Sequence, residues 1–240
     1  MTDALELLDV SAAYGPFNAL FGVSLRVGPG EAVALLGANG AGKTTVARVA
    51  TGLLSPSAGR VRVAGADLTG APAYRFAWAG VVHAPEGRSV FSSLTVDENL
   101  RLSLRRSQGR RGVAAGLERA YGRFPALAGR RQQLAGTLSG GEQRMLSLAR
   151  ALAEDADILV ADELSLGLAP IIVEQLYAEL ARLRAAGTSL LIVEQHIGPA
   201  LALCDRVVLL DHGTVTWEGP AADSHDRLAA GVPGTVPGTG

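Results

Sequence analysis

Gly37-Ala38-Asn39-Gly40-Ala41-Gly42-Lys43-Thr44, followed by Thr45, is the stretch that decides the fold. Its spacing, Gly-x-x-x-x-Gly-Lys-Thr, is that of a phosphate-binding P-loop. Glycines at these positions let successive backbone N–H groups turn inward and form an anion nest. Lys43, the only lysine in the chain, supplies a mobile point charge for the β- and γ-phosphates, a task for which a rigid guanidinium fork is less suited. The Thr44 hydroxyl is placed to ligate Mg²⁺. A helix starting here adds its positive N-terminal dipole. The plainer reading of the same residues is a glycine-rich turn before an amphipathic helix, and the neighbouring sequence decides against it. Residues 32–36 are a short apolar run of the kind buried in parallel sheets. Residues 46–50 continue as a helix that Gly52 and Pro56 close. Strand, glycine loop and helix is the order that nucleotide binding requires.

Outward from this loop, residues 5–10 and 20–27 read as strands joined through Gly15-Pro16, and Gly28-Pro29-Gly30 as a tight turn. Another strand is expected at 59–63, a short helix near Pro72 to Trp78, and a strand at 80–84 ended by Pro85. From about Leu94 to Glu154 the strand signal gives way to helical spacing, many arginines and several glycine breaks, the pattern of a helical insertion. Strands at 158–161, 189–193 and 206–210 then alternate with helices at 171–184 and 197–203. This rhythm predicts an α/β fold with a mostly parallel sheet covered on both faces. Its nucleotide is expected at the carboxyl ends of the strands. Residues 231–240 are rich in Gly, Pro and Thr and are expected to form a disordered tail.

With 240 residues, 48% of them hydrophobic, and a formal net charge of −1, the chain has no strongly basic balance. That argues against a nucleic-acid-binding surface over the whole protein. Cys204 has no partner for an internal disulfide, and Leu201-Ala202-Leu203-Cys204 marks it as a small buried hydrophobe. No N-terminal segment reads as a signal peptide, and no uncharged apolar run is long enough to cross a bilayer. The expectation is a cytoplasmic protein whose membrane role comes through a partner. Trp78 and Trp217 read as packing residues. The arginine pairs 105–106 and 110–111 read as a solvated helical face. His83, His212 and His225 show no metal-ligand spacing among themselves or with Cys204.

Two further motifs carry chemistry. Asp162-Glu163 follows the 158–161 strand at the end where phosphates belong. One carboxylate there can hold Mg²⁺ and the other can polarise an attacking water; a charge pair capping the next helix is the plainer reading. Leu138-Ser139-Gly140-Gly141-Glu142-Gln143 precedes a strong helical pattern. Ser139 and Glu142 have capping-box spacing, and two glycines beside a serine at a helix start also make a second anion site. Two phosphate-binding loops in one chain are explained if two copies face each other and grip one nucleotide from opposite sides.

At these residues the chain resembles the ATP-binding subunits of ABC transporters, over nearly its whole length. The resemblance implies a P-loop NTPase core of RecA-like type, an N-terminal antiparallel β subdomain and a helical subdomain inserted at about 94–154. Together these make a single ABC ATPase domain over 1–230, with its core at about 1–93 and 155–230. It implies that ATP and Mg²⁺ are bound, with Gly37, Asn39, Gly40, Gly42, Lys43, Thr44 and Thr45 around the phosphates. Leu138 to Gln143 is similar to the family's signature loop, so Ser139 and Gly141, with Gly140 and Gln143, are expected at the nucleotide of a partner subunit. Asp162 and Glu163 match the Walker B aspartate and the catalytic glutamate, and residues 165–168 occupy the D-loop position. His196 matches the switch histidine, which holds the γ-phosphate and orients water. Tyr14 falls where relatives stack an aromatic ring on adenine.

Two departures bear on the chemistry. Most relatives carry glutamine where this chain has Glu86, in Pro85-Glu86-Gly87-Arg88. A carboxylate there can still ligate Mg²⁺, but it adds negative charge beside Asp162 and Glu163. Leu164 stands where the family usually has proline, which removes a restraint on the backbone that aims Glu163. Residues 85–91 and 94–100, with Ser165 to Pro170 and Val193 to His196, are similar to the ATP-binding proteins of branched-chain amino acid importers. Urea and short-chain amide importers share much of this pattern. The resemblance implies a peripheral protein on the cytoplasmic face of the cell membrane, bound to integral membrane permease subunits and paired with a second ABC ATPase subunit, like or unlike. A periplasmic or extracellular solute-binding protein would act indirectly. Soluble ABC ATPases of DNA or ribosomes usually carry two nucleotide domains, a long coiled coil or zinc-binding cysteines, none of which is present in this sequence. A small-molecule P-loop kinase would lack the signature loop.

Overall fold

The structure, a computed structural model, describes residues 2–87, 89–195 and 197–224. Strands β1 (Leu5–Tyr14), β2 (Phe17–Val27) and β3 (Ala32–Leu36) lead into helix α1 (Lys43–Ala50). β4 (Ala58–Val63), β5 (Ala66–Asp67), α2 (Ala73–Trp78) and β6 (Val81–Ala84) follow. Three helices come next, α3 (Val96–Arg123), α4 (Pro125–Ala128) and α5 (Gly140–Leu152). β7 (Ile158–Asp162), α6 (Pro170–Ala185), β8 (Ser189–Glu194), α7 (Ile197–Leu203), β9 (Arg206–Asp211) and β10 (Thr214–Pro220) complete the order.

Six strands form a sheet in the order β10-β9-β3-β8-β7-β6. All its pairings are parallel except that of β10 with β9. The other sheet is antiparallel, in the order β2-β1-β4-β5. The period-2 alternation of strand side chains divides the apolar residues into two cores. Val33 and Leu35 of β3, Ile158 and Val160 of β7, and Leu191 and Val193 of β8 pack toward the antiparallel sheet and α1. Ala32, Ala34 and Leu36, with Leu159, Ala161, Leu190 and Ile192, pack on the opposite face against α3, α5 and α6. The apolar runs that identified these strands are continuous because both faces are covered.

The helical stretch between β6 and β7 starts with a capping box, in which Thr95 accepts from the Glu98 N–H and the Glu98 side chain accepts from the Thr95 N–H. Gly109 (φ 65) breaks α3 internally. Two strands were not foreseen. β5 is a two-residue edge, and β10 alternates exposed and half-buried positions at the rim of the parallel sheet, so neither carries an apolar run. Trp217 packs against the helical-side core, as expected, and Cys204 is buried. Trp78 corrects the expectation: it is 79% exposed, with Tyr74 edge-on at 4.8 Å, because α2 buries only Phe76. Among the described residues no helix is long and apolar enough to cross a membrane.

Leu35 is fully buried between the two sheets. Leu35→Ala is expected to cost about 2–5 kcal/mol through lost burial and a residual cavity. Chemical denaturation checks this; a loss under about 1 kcal/mol would mean the site collapses around the smaller side chain.

Candidate functional site

β3 delivers the chain to the phosphate loop with all five of its residues buried. The turn that follows depends on two glycines. A Cβ at Gly37 would lie 2.3 Å from the Leu210 carbonyl oxygen of β9, and Gly42 adopts φ +103 against the Ala19 carbonyl and the Leu20 side chain. The loop is fixed to the β9–β10 hairpin by the Gly213 N–H, which donates to the Ala41 carbonyl at 2.8 Å. Gly42 gives α1 no side-chain cap, and no acidic residue occupies the first turn. The amides at this helix start are left to an external anion.

Lys43 is only 4% exposed, yet its ammonium is fully served. Nζ donates to the carbonyls of Gly37 at 3.0 Å and Ala38 at 3.1 Å, and lies 3.3 Å from Glu163 Oε1. These three contacts match the three donors of an ammonium group. A cleft of about 420 Å³ opens beside it. Of the residues expected at the nucleotide, Asn39, Gly40, Gly42, Lys43, Thr44, Thr45, Glu86 and Glu163 line it. Ala19, Leu166 and Gln195 also line it and were not foreseen. Ala19 reaches the cleft from β2, a proximity no local pattern encodes, whereas Gln195 had a signal in its adjacency to His196.

Asp162 ends β7 and is almost fully buried; Thr44 Oγ1 donates to its Oδ1 at 3.4 Å. Its carboxyl is pushed up to about 6, by burial first and then by the charges of Glu163 and Glu86, against the opposing pull of Thr44 and Lys43. Glu163 follows in a left-handed conformation (φ 47), which is uncommon for a residue with a Cβ. Its N–H donates to the Val193 carbonyl at 2.8 Å. Ser165 is held by the buried Glu194, which accepts from the Ser165 N–H at 3.1 Å and from its hydroxyl at 2.9 Å. Glu194 and Arg144, which contacts the Glu163 backbone, are two further polar residues beside this site that the sequence reading missed.

The second loop stands apart. Ser139 caps α5 with both halves of a capping box, and Glu142 Oε1 pairs with Arg130 Nε at 2.7 Å. The capping reading of these residues is thus realised. Ser139, Gly140, Gly141 and Gln143 do not line the cleft of their own chain. Ser139 and Gly141 are exposed, while the Gln143 amide donates back to the carbonyls of Ala135 at 3.1 Å and Gly136 at 3.4 Å. Tyr14 also lies off the cleft lining. Its ring, 40% exposed, faces the Arg48 guanidinium 5.9 Å from the centroid. His196, the expected switch histidine, lies outside the described residues.

A separate cleft of about 370 Å³ runs between α2, β6 and α3, lined by Leu53, Phe91, Leu102 and His83 among others. Burial lowers the His83 imidazole to about 4, which keeps it neutral. Leu53, Phe91 and Leu102 are each close to half exposed.

The raised Asp162 carboxyl has a consequence for stability. Burial and the charges of Glu163 and Glu86 make the fold favour its protonated form. That contribution is fully present below the ordinary value of 3.8 and is lost as pH rises through about 6. Asp162→Asn removes the dependence. The unfolding temperature of the variant, minus that of the natural protein, is therefore expected to widen by a few degrees as pH rises from about 4 to 7. A difference that stays flat over this range would contradict it.

The comparisons with known proteins agree with this geometry. A family model described as "ABC transporter" matches residues 20–165. The chain is 40% identical over 213 residues to the high-affinity branched-chain amino acid transport ATP-binding protein BraG of Pseudomonas aeruginosa, covering 89% of this chain and 91% of that one. It is 32% identical to the probable branched-chain amino acid transport ATP-binding protein LivF of Archaeoglobus fulgidus, over 93% and 96% of the two chains. Among solved structures, an ATP-binding subunit of an ABC transporter superposes with a TM-score of 0.85 at 27% identity, covering 94% of this chain and 93% of that one. With the P-loop that follows β3 contacting Asp162 at the end of β7 through Thr44 and Glu163 through Lys43, these matches establish that the chain belongs to the ABC transporter family, as one of its ATP-hydrolysing cassettes.

Proposed function

We propose that this cassette powers a membrane importer for branched-chain or related amino acids. The observation that carries its chemistry is the meeting of Lys43, Thr44, Asp162 and Glu163 at the carboxyl ends of β3 and β7. The amino-acid assignment rests on the similarity to BraG and LivF.

ATP enters with its phosphates on the uncapped start of α1. Lys43 exchanges its contact with Glu163 for the β- and γ-phosphates, and the freed Glu163 carboxylate accepts a proton from the attacking water. Thr44, Asp162 and Glu86 offer only oxygen donors, which suit Mg²⁺, and these residues would hold the ion. No cluster of three or more His, Cys, Asp or Glu among the described residues is arranged to hold a metal. When bound, the ion neutralises charge on the phosphates. Ser139, Gly140 and Gly141 serve the nucleotide of a second ATPase subunit, consistent with their position off their own cleft and with the exposure of Ser139 and Gly141.

The cassette works at the cytoplasmic face of the membrane through permease subunits, which a solute-binding protein supplies with substrate. The cleft between α2, β6 and α3 supports this. It carries half-exposed Leu53, Phe91 and Leu102, with exposed Tyr74 and Trp78 on the flanking helix. Apolar surface of this kind marks a protein contact.

Glu163→Gln is expected to leave ATP affinity within about threefold and to lower turnover by about 10²–10⁴-fold, because the amide keeps the shape but cannot take the proton. Lys43→Ala is expected to weaken ATP binding at least about tenfold. Steady-state hydrolysis and equilibrium ATP titration check both; wild-type turnover in Glu163→Gln would remove it from the base role. Glu86 lines the nucleotide cleft and belongs to the same loop as Phe91. Glu86→Gln should preserve basal hydrolysis within a few-fold, since the amide still offers an oxygen that would suit the metal. Glu86→Ala should mainly uncouple hydrolysis from transport in the reconstituted assembly. Loss of ATP binding in both variants would make Glu86 a structural part of the pocket instead.

A further inference from the structure

Arg144 belongs to α5, five residues after Ser139, and its side chain is turned back toward β7. One terminal nitrogen of its guanidinium donates to the Glu163 carbonyl, and Nε donates to the Leu164 carbonyl at 3.4 Å. The group is half-buried, and the charges of Glu86, Glu194 and Glu163 favour its ionised form against the cost of that burial. A planar fork is the side chain that can serve two consecutive carbonyls at once.

The backbone it holds is one that needs holding. Glu163 lies in the left-handed region, which a side chain with a Cβ occupies only where its surroundings over-determine it. The residue after it is Leu164, whose φ is free, where a proline would be fixed. Leu164 is only 2% exposed. The restraint therefore comes from tertiary contacts. β8 supplies the Val193 carbonyl on the N–H side of Glu163 and Glu194 on Ser165. Arg144 supplies the carbonyl side, from the helix that begins at the Ser139 loop.

We propose that Arg144 is a positioning residue for ATP hydrolysis: by holding the Glu163 and Leu164 carbonyls it keeps Glu163 aimed into the nucleotide cleft, and it ties that aim to the helix carrying the signature loop. The inference rests on Glu163 being the group that polarises water. Its consequence is that a change at Ser139 on binding a second subunit's nucleotide reaches the first subunit's own catalytic carboxylate along α5. The two nucleotide sites of a pair are then linked through Arg144 in each chain.

The test uses the full chain in Arg144→Gln and Arg144→Lys, each also combined with Glu163→Gln. Turnover is read by phosphate release and ATP affinity by equilibrium titration with magnesium chelated. Arg144→Gln is expected to lower kcat by about 10- to 100-fold, the scale of a misplaced catalytic group. ATP Kd should stay within threefold and the unfolding temperature within a few degrees. Arg144→Lys should recover part of the loss, since an ammonium can serve one carbonyl of the two. In the Glu163→Gln background, Arg144→Gln should have no further effect, because a residue acting through Glu163 has nothing left to position. Equal loss in both backgrounds, a Kd change matching the kcat change, or unaltered kcat would each overturn the proposal. Wild-type turnover in Glu163→Gln alone is a separate outcome that would fail the catalytic reading of Glu163 itself.

Discussion

Strand β3 has no solvent-facing side, and from that constraint the rest of the molecule is built. It lies between β8 and β9, and its five residues are shared alternately between a core under the antiparallel sheet and a core under the helices. A strand committed on both faces cannot slip by one residue without exchanging its side chains between two differently shaped cores. The point at which it ends is fixed accordingly, and Gly37 is the first residue able to turn. The phosphate loop inherits that rigidity. Its carbonyl at Ala41 is tied to the β9–β10 hairpin, and Gly37 packs so closely on Leu210 that no side chain fits. The fold presents its amides to an anion before any anion arrives, which is the preorganisation that binding and phosphoryl transfer both require.

The buried charges of the site are balanced unevenly. Lys43 is buried at little cost because two carbonyls and a carboxylate satisfy its three donors. Asp162 is buried with one long hydrogen bond from Thr44 and with two further carboxylates nearby, so its proton is held to about pH 6. The cleft therefore keeps its cation occupied and its anionic side short of positive charge. In the proposed function, a nucleotide with its metal would correct both imbalances at once. There the phosphates would take over Lys43, and the cation would relieve the carboxylates.

Leu164 and Glu86 carried the two doubts left by the sequence, and the structure answers the first through contacts made elsewhere in the chain. Where proline would restrain the backbone covalently, this chain restrains it from three sides through Val193, Glu194 and Arg144. The solution is longer-range than a proline and also more sensitive, since each support belongs to an element with another task. β8 leads to Gln195 and His196, and α5 begins at Ser139. Glu86 is exposed and lines the cleft, and its charge is felt by both Asp162 and Arg144.

The sequence by itself determined the elements and the chemistry confined to short stretches. The apolar runs of β3, β7, β8 and β9 were legible because strands buried on both faces need no polar alternation. The P-loop and the Ser139 capping box were legible because backbone geometry over four to eight residues dictates which residues fit. β5 and β10 were illegible because edge strands bury little and so show no apolar signature, and Trp78 was misread because apolar composition does not reveal which face of a short helix is covered. Only the tertiary structure decided that Ala19 reaches the cleft, that Arg144 and Glu194 hold residues 163–165, and that Asp162 keeps its proton to about pH 6. Those properties depend on groups far apart in the chain being brought within a hydrogen bond or a few ångströms of one another. Contact and burial at that distance leave no mark on local spacing, and they arise only when the sheet has closed.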